Sequence, residues 1–156
     1  MNKSEIATKI KETEEQLASL RKQLEQPEFP TLAESKVGDK LENGCIVVHK
    51  FKDLQMALIV APQSTERSCR WDKEFKEVFD SLVQEGFNPS QWFIPNVEQL
   101  KLAIKNCKQR FAGTGYWCSS FANSNGSCGV GRFIGGQVGG SKEIKGCVRA
   151  FSLVSY

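Results

Sequence analysis

Cysteine and histidine are the residue types that could carry nucleophilic or metal-binding chemistry in this chain of 156 residues. A nucleophilic thiol needs a base beside it. The single histidine, His49, reads as an outward-facing residue of a strand, and nothing in the sequence brings it next to a thiol. Zinc ribbons and fingers need paired, closely spaced ligands, and the spacings of the six cysteines fit neither kind of site. We therefore expect a non-enzymatic protein without a catalytic residue, a metal or a cofactor. The six cysteines are Cys45, Cys69, Cys107, Cys118, Cys128 and Cys147.

The redox state of these cysteines has two interpretations. In a cytosolic product they would be reduced, mostly buried and equivalent to small apolar side chains. One or more disulfides could instead form after release from the cell. The even number and wide spacing of the cysteines leave both interpretations open.

A second group of residues could bind a ligand without reacting with it. Ten of the 13 glycines lie between Gly113 and Gly146, among serines, asparagines and several aromatic residues. Antibody paratopes have this composition, because rigid aromatic area is combined there with adaptable hydrogen bonding. We predict a recognition surface over residues 119–133; the alternative is an ordinary loop and hairpin that contacts no ligand. The candidate ligand-binding residues are Tyr116, Trp117, Ser119, Phe121, Asn123, Asn125, Arg132 and Phe133.

A Gly-rich segment buries little area by itself, so the preceding residues must support it. Residues 37–61 predict a β-hairpin that turns at Lys52-Asp53, with Met56–Ala61 covered on both faces. A helix is predicted over 72–85, capped by Asp72, stopped by Gly86 and apolar on one face that includes Val83. The predicted elements give an α+β fold with an antiparallel sheet. A second helix is predicted by an Asn96/Gln99 capping box, with four residues facing inward: Leu100, Ala103, Ile104 and Cys107. A final strand is predicted by alternation over 147–154.

The first 26 residues predict a separate coiled-coil helix. Apolar residues recur there at alternating spacings of four and three, with Thr13 filling one position. Such a short helix needs copies of itself or a larger assembly, so we expect a homotrimeric stalk, although the pattern does not separate dimer from trimer. The alternative is an amphipathic helix that lies back on its own domain. We divide the chain into the helix 1–26, a Pro-containing linker 27–36 and a domain 37–156. The predicted oligomerisation residues are Ile6, Ile10, Leu17, Leu20 and Leu24.

Three short blocks resemble a known family. They are Trp92–Leu100, Tyr116–Ser120 and Cys147–Phe151, in this order. Together they resemble the Lcl-type C-terminal domain of bacterial surface proteins and tailed-phage proteins, which is similar in fold to C-type lectins. The resemblance covers residues 37–156 and implies a C-type-lectin-like domain. Within the blocks we expect structural roles for Trp92, Pro95, Glu98 and Arg149, with Glu98 as a candidate partner of Arg149.

The chain departs from this family at some positions. Cys118 stands where the family commonly has a small serine. The sequence has neither the Glu-Pro-Asn nor the Trp-Asn-Asp triplet that marks calcium-dependent C-type lectins. Calcium-dependent sugar binding is therefore not implied by the resemblance, and a lectin-like fold alone does not determine a function.

Charge and hydropathy narrow the classes of partner. The net charge is +3 without a block of Lys or Arg, which disfavours nucleic acid. No apolar run approaches the roughly 18 residues of a membrane span, and the first residues do not read as a signal peptide. With the family's occurrence in tailed phages, we expect a virion protein made in the host cytoplasm. The predicted role is fibre- or tail-type attachment to a host glycan or protein; the alternative is a capsid or tail decoration (cement) protein without a host ligand, and a secreted bacterial adhesin is a weaker third interpretation.

Overall fold

The structure is a computed structural model, and it describes most of the chain. Side chains are described for those residues except 120–131 and 137–140. The described residues are 9–18, 29–71, 74–113, 115–123, 126–131, 137–140 and 145–156.

These residues form a mixed α+β fold with three helices and two small sheets. The helices are α1 (9–18), α2 (Lys76–Gln84) and α3 (Val97–Cys107). The strands are β1 (Ile46–Phe51), β2 (Met56–Val60), β3 (Arg67–Arg70), β4 (Gly115–Asn123), β5 (Gly126–Gly131), β6 (Gln137–Gly140), β7 (Lys145–Val148) and β8 (Phe151–Ser155).

The first sheet has the strand order β1-β2-β8, and all of its pairs are antiparallel. The hairpin predicted over 37–61 is confirmed, since β1 pairs with β2 around a 3₁₀ turn at Lys52–Leu54. Residues 57–61 are fully buried, as predicted. Because strand side chains alternate between faces, β2 contributes to both sides of this sheet.

The second sheet has the order β3-β7-β4-β5-β6 and includes one parallel pair, Tyr116 with Cys147, between β4 and β7. The expectation of a single antiparallel sheet is therefore wrong. The prediction of one alternating strand over 147–154 is also wrong, because Arg149 and Ala150 separate β7 from β8 and carry the chain from one sheet to the other. Residues 148–152 are all buried. Buried and exposed side chains do not alternate there, because the segment between β7 and β8 is enclosed by the core on every side.

The helix α2 is shorter than predicted. It starts at Lys76 behind Phe75, which makes no side-chain cap, and the predicted cap Asp72 lies outside the described residues. The prediction that Val83 faces inward is wrong, because its side chain is exposed. The predicted stop is confirmed, since Gly86 follows the C-cap residue Glu85 and has a φ of +85°.

The helix α3 follows its sequence signals closely. The Asn96 side chain accepts a hydrogen bond from the backbone N–H of Gln99 at 2.9 Å, and the Gln99 side chain accepts one from the Asn96 N–H at 2.9 Å. This is the predicted capping box. All four predicted inward residues are buried: Leu100, Ala103, Ile104 and Cys107.

The core consists of two clusters, one on each side of the first sheet. On one side α3 and the start of β4 pack on Leu58 and Val60 of β2. On the other side Trp71, Trp92 and the apolar face of α2 pack with Ala57 and Ile59. The first sheet is thus the buried middle layer of the domain, and the helices hold it from both faces.

The N-terminal region is described in part. Residues 9–18 are helical, and Ile10 and Leu17 on this helix are 54% and 45% exposed. The other predicted oligomerisation residues, Ile6, Leu20 and Leu24, lie outside the described residues. No helix among the described residues combines the length and the apolar character needed to cross a membrane.

Residues 31–35, which the sequence assigns to a linker, are bound to the domain. The Lys50 ammonium donates hydrogen bonds to the carbonyls of Leu32, Ala33 and Ser35 at 2.9, 2.8 and 3.1 Å. Leu32 packs against the core and Ser35 is buried. Residues 31–35 are therefore part of the folded domain rather than a free linker.

Candidate functional site

Two aromatic residues predicted to contact a ligand lie in the core instead. The Tyr116 hydroxyl donates to the Glu66 carboxylate at 2.7 Å and accepts from the Gly113 N–H at 2.9 Å. The Trp117 Nε1 donates to the Cys69 carbonyl at 3.2 Å. Both side chains are buried. The prediction that Tyr116 and Trp117 bind a ligand is therefore corrected: they anchor β4 to its neighbours.

The other candidate residues are either on β4 or outside the described residues. Ser119 is exposed, and both its N–H and its hydroxyl donate to the Pro95 carbonyl, at 2.8 and 3.2 Å. The backbone of Phe121 and Asn123 belongs to β4 and pairs with β5. The remaining predicted ligand-binding residues, Asn125, Arg132 and Phe133, lie outside the described residues.

Arg149 is the most buried charged residue of the described chain, with 2% of its surface exposed. Its Nη1 donates to the Arg110 carbonyl at 2.6 Å, and its Nη2 donates to the Ala61 carbonyl. Its Nε lies 4.0 Å from a Glu66 carboxylate oxygen and has no hydrogen-bond partner among the described residues. Burial lowers the pKa of Arg149, and the Glu66 charge opposes that effect. Arg149 therefore joins both sheets at the crossing between β7 and β8.

The proposed pairing of Arg149 with Glu98 is wrong. Glu98 is exposed and forms an ion pair at 3.1 Å with Lys101, one turn along the surface of α3. Trp92 and Pro95 are buried, in keeping with the structural roles expected of them. The partner of Arg149 is Glu66, which immediately precedes β3 and lies far from Glu98 in the sequence.

The described thiols are poorly suited to nucleophilic chemistry. Burial raises the pKa of Cys45 to about 12, and that of Cys69 and Cys147 to about 11. The pKa of Cys107 is also raised by burial. A thiol reacts through its thiolate, which such values make scarce at neutral pH. His49 is half-buried, and its ring packs edge-on against Phe51 with 4.7 Å between centroids.

A cleft of about 410 Å³ opens at the end of the first sheet where β1 begins and β2 ends. Sequence reasoning missed this cleft because its residues come from separate segments that no local pattern connects. Its lining comprises Phe29, Lys40, Glu42, Asn43, Gly44, Ile46, Pro62, Gln63, Ser64, Glu85, Arg110 and Arg149.

The charges of the cleft include both signs. Among the described residues, Lys40, Glu42 and Glu85 form no ion pair, and the Arg110 Nη2 donates to the Gly38 carbonyl at 3.3 Å. Every charged residue of the cleft except Arg149 is exposed, so the donors and acceptors of these side chains are open to a ligand. Phe29 adds an aromatic ring that is 46% exposed.

One wall of the cleft is a tight turn over residues 41–45. The Leu41 N–H donates to the Cys45 carbonyl at 2.8 Å, and the Asn43 side chain accepts from the Cys45 N–H at 3.1 Å. Gly44 has a φ of +83°, and a Cβ there would lie 3.2 Å from the Pro62 ring. The backbone of this wall is therefore held by its own hydrogen bonds, and position 44 favours glycine because of its positive φ and the nearby Pro62 ring.

The described residues contain no cluster of three or more His, Cys, Asp or Glu side chains that could hold a metal ion. No family model matches the chain, and a search of curated proteins finds none similar to it.

Proposed function

We propose that the chain is a non-enzymatic phage virion protein for attachment: a C-type-lectin-like domain that binds a host-surface glycan or protein, carried on a trimeric coiled-coil helix. One observation carries the proposal: the three sequence blocks that resemble the lectin-like family contact one another in the fold. Phe93 of the first block pairs with Phe151 of the third through two backbone hydrogen bonds of 2.9 and 2.8 Å. The Pro95 carbonyl accepts both bonds from Ser119 of the second block.

The second and third blocks also meet, where Tyr116 pairs with Cys147 across β4 and β7. Residues that are distant in sequence thus form one contiguous unit that a common fold would need to preserve. This mutual contact supports the lectin-like assignment more strongly than any one block does alone.

The binding role is supported by the division of β4 into two parts. Its first residues, Gly115 to Ser119, are fastened to the core by side-chain and backbone bonds. The strand β5 pairs antiparallel with this anchored part and, beyond it, with Phe121 and Asn123, while β6 pairs with β5. The sequence that joins β4 to β5 beyond the anchored part is rich in Ser and Asn. A fixed base with a polar extension is a suitable scaffold for recognition by loops. The raised thiol pKa values described above also favour binding over catalysis.

The stalk is supported by the exposure of Ile10 and Leu17 on α1. These positions are seven residues apart, so they occupy the same heptad position and face the same side of a coiled coil. Burying both in a trimer would remove apolar area that a single chain leaves in water. The same exposure argues against a helix that lies back on its own domain.

The test combines solution mass with binding by the full chain. Light scattering should give a trimer, and a double variant Ile10→Asp/Leu17→Asp should give a monomer with an unchanged domain. The full chain should bind either a glycan array or cells of the propagating host strain. A variant carrying Asn123→Ala, Asn125→Ala, Arg132→Ala and Phe133→Ala should lose that binding. The control Asn88→Ala, which lies outside residues 119–133, should retain it.

A monomeric full chain would overturn the stalk, and unchanged binding by the quadruple variant would overturn the recognition surface. Any truncation used in these experiments should begin at Phe29 rather than Val37. A start at Val37 would remove the three carbonyls that bind Lys50 and would disturb the domain itself.

The burial of Tyr116 and Trp117 favours a second candidate, a capsid or tail decoration protein whose partners are other virion proteins. A receptor-binding face on β4 would need exposed aromatic rings, and the rings of Tyr116 and Trp117 lie in the core. The full chain, labelled with a fluorophore, is mixed in one experiment with purified particles that lack it and in another with host cells. The two experiments distinguish decoration from attachment. Saturable binding to particles with none to cells would establish decoration, and the reverse would establish attachment.

A further inference from the structure

We propose that the cleft at the end of the first sheet binds a neutral pyranose sugar. The proposal rests on the proposed function, because it names a ligand class for an attachment protein. It assigns the sugar to a site other than the recognition surface predicted over 119–133, since the described lining of the cleft comes from other segments. Three features of the cleft favour a sugar: the balance of its charges, the exposed ring of Phe29 and the rigidity of its backbone.

The charge balance favours a hydroxyl-rich ligand over an anion. The Arg149 charge is already met by Glu66 at 4.0 Å and by two carbonyls. Two further cations, Lys40 and Arg110, and two carboxylates, Glu42 and Glu85, then line the cleft in equal numbers, and its other lining residues are uncharged. A sugar hydroxyl both donates and accepts, so neighbouring hydroxyls can donate to the carboxylates and accept from the cations.

An anionic ligand would meet these same carboxylates without a compensating surplus of positive charge. An apolar ligand would leave Lys40, Glu42 and Glu85 without hydrogen bonds after losing water, which is unfavourable. Asn43, Gln63 and Ser64 add uncharged polar groups around the charged ones. The lining as a whole therefore suits a polyol that carries no net charge.

The aromatic wall is provided by Phe29, whose ring is about half exposed. One face of a pyranose ring presents mostly C–H groups, which pack favourably against an aromatic face. Covering the Phe29 ring in this way would also remove exposed apolar area from water. The exposed aromatic ring and the charged hydrogen-bonding groups thus match the two different surfaces of a sugar.

Size and rigidity support the same ligand. A volume of about 410 Å³ lies within the range of small-molecule sites, which runs from roughly 300 to 1,000 Å³. The turn over 41–45 and the buried Arg149, which holds the Ala61 and Arg110 carbonyls, fix the backbone on two sides. A preformed site loses little conformational entropy on binding.

The experiment is an NMR titration of the full chain with methyl glycosides of glucose, galactose, mannose and N-acetylglucosamine. Sorbitol serves as an acyclic polyol and sodium acetate as an anion. At least one glycoside should shift amide resonances of the cleft, whereas sorbitol and acetate should bind at least about tenfold more weakly. Glu42→Gln is nearly isosteric and exposed, so it should retain the fold while weakening glycoside binding roughly tenfold or more, as expected for a hydrogen bond to a charged group.

Phe29→Ala should weaken binding to a similar degree, and Glu98→Gln and Leu54→Ala, which replace exposed residues outside the cleft, should leave it unchanged. The proposal is overturned if no glycoside binds, if acetate binds as well as the sugars, or if Glu42→Gln has no effect. Cell attachment is measured separately. Sugar binding without attachment would overturn the proposed function alone, and attachment without sugar binding would overturn the cleft proposal alone.

Discussion

Gly146 of β7 packs directly beneath the indole ring of Trp117 on β4. A Cβ on Gly146 would lie 2.5 Å from Nε1 and 2.7 Å from Cε2 of that ring. The indole in turn donates to the Cys69 carbonyl on β3, so the contact holds three neighbouring strands together. Glycine is required at this position because the aromatic ring occupies the space that a side chain would need.

The variant Gly146→Ala should therefore be destabilised by overpacking. We expect a loss of roughly 1–3 kcal/mol in the free energy of unfolding, measured with urea. In a Trp117→Leu background the same substitution should cost less, because the clashing ring is absent. Equal costs in the two backgrounds would contradict the assigned contact.

The variant Arg149→Met should lower the free energy of unfolding by about 3–5 kcal/mol, because it leaves Glu66 unpaired and two carbonyls without donors. Adding Glu66→Gln should recover part of that loss. The exposed Arg70 provides a control, since its ion pair with Glu74 lies at the surface and should contribute little to stability. A cost for Arg149→Met as small as that for Arg70→Ala would show that the buried network is not stabilising.

Stability should decline in alkaline solution through the buried thiols. Burial raises the pKa of Cys69 and Cys147 to about 11 and that of Cys45 to about 12, from the ordinary thiol value of 9.0. Because the unfolded chain loses these protons first, the stabilisation is complete below pH 9 and is lost as the pH rises through the folded values. Urea unfolding across this window should give a falling free energy, and Cys45→Ala should make the decline less steep. An unchanged slope would contradict this origin.

The variant Asn96→Ala should lower the free energy of unfolding by about 1 kcal/mol, since it removes the N-terminal cap of α3. Asn96→Ser should retain most of the stability, because serine also accepts a bond from the third N–H of the helix. Lys105→Ala, an exposed substitution on the same helix, should change stability by less than about 0.5 kcal/mol. Chemical denaturation of the three variants in parallel provides the measurement.

The variant Lys50→Met should release residues 31–35 from β1. The ammonium bonds to three carbonyls and lies 4.1 Å from the centroid of the Tyr156 ring, so one side chain holds both ends of the domain. Hydrogen exchange at the Glu34 and Ser35 amides should become faster, whereas Lys52→Met should leave it unchanged. Equal exchange in the two variants would mean that Leu32 packing alone retains the segment.

The sequence predicts those elements whose signals are local. The hairpin of β1 and β2 and the capping box of Asn96 and Gln99 depend on neighbouring residues, and both are confirmed. The division into two sheets was not predictable, because it depends on Arg149 crossing the core to reach Glu66 and Ala61. Alternation over 147–154 suggested one strand, since a periodic pattern does not reveal a change of sheet.

The candidate site was predicted less well, for a related reason. Tyr116 and Trp117 have the residue types of a binding surface, yet aromatic residues bury as readily as they bind. Their burial is decided by Glu66, Cys69 and Gly146, which no local pattern connects to them. The cleft has no local signal for the same reason.

The passage of the chain from β7 through Arg149 to β8 has a consequence during synthesis. Strand β7 lies between β3 and β4 in one sheet, and β8 completes the other, so residues 145–155 finish both sheets. Residues up to about 155 must therefore emerge from the ribosome before either sheet can close. Nascent chains that stop before residue 145 would expose an unpaired strand edge in each sheet, a state prone to aggregation and attractive to chaperones and proteases.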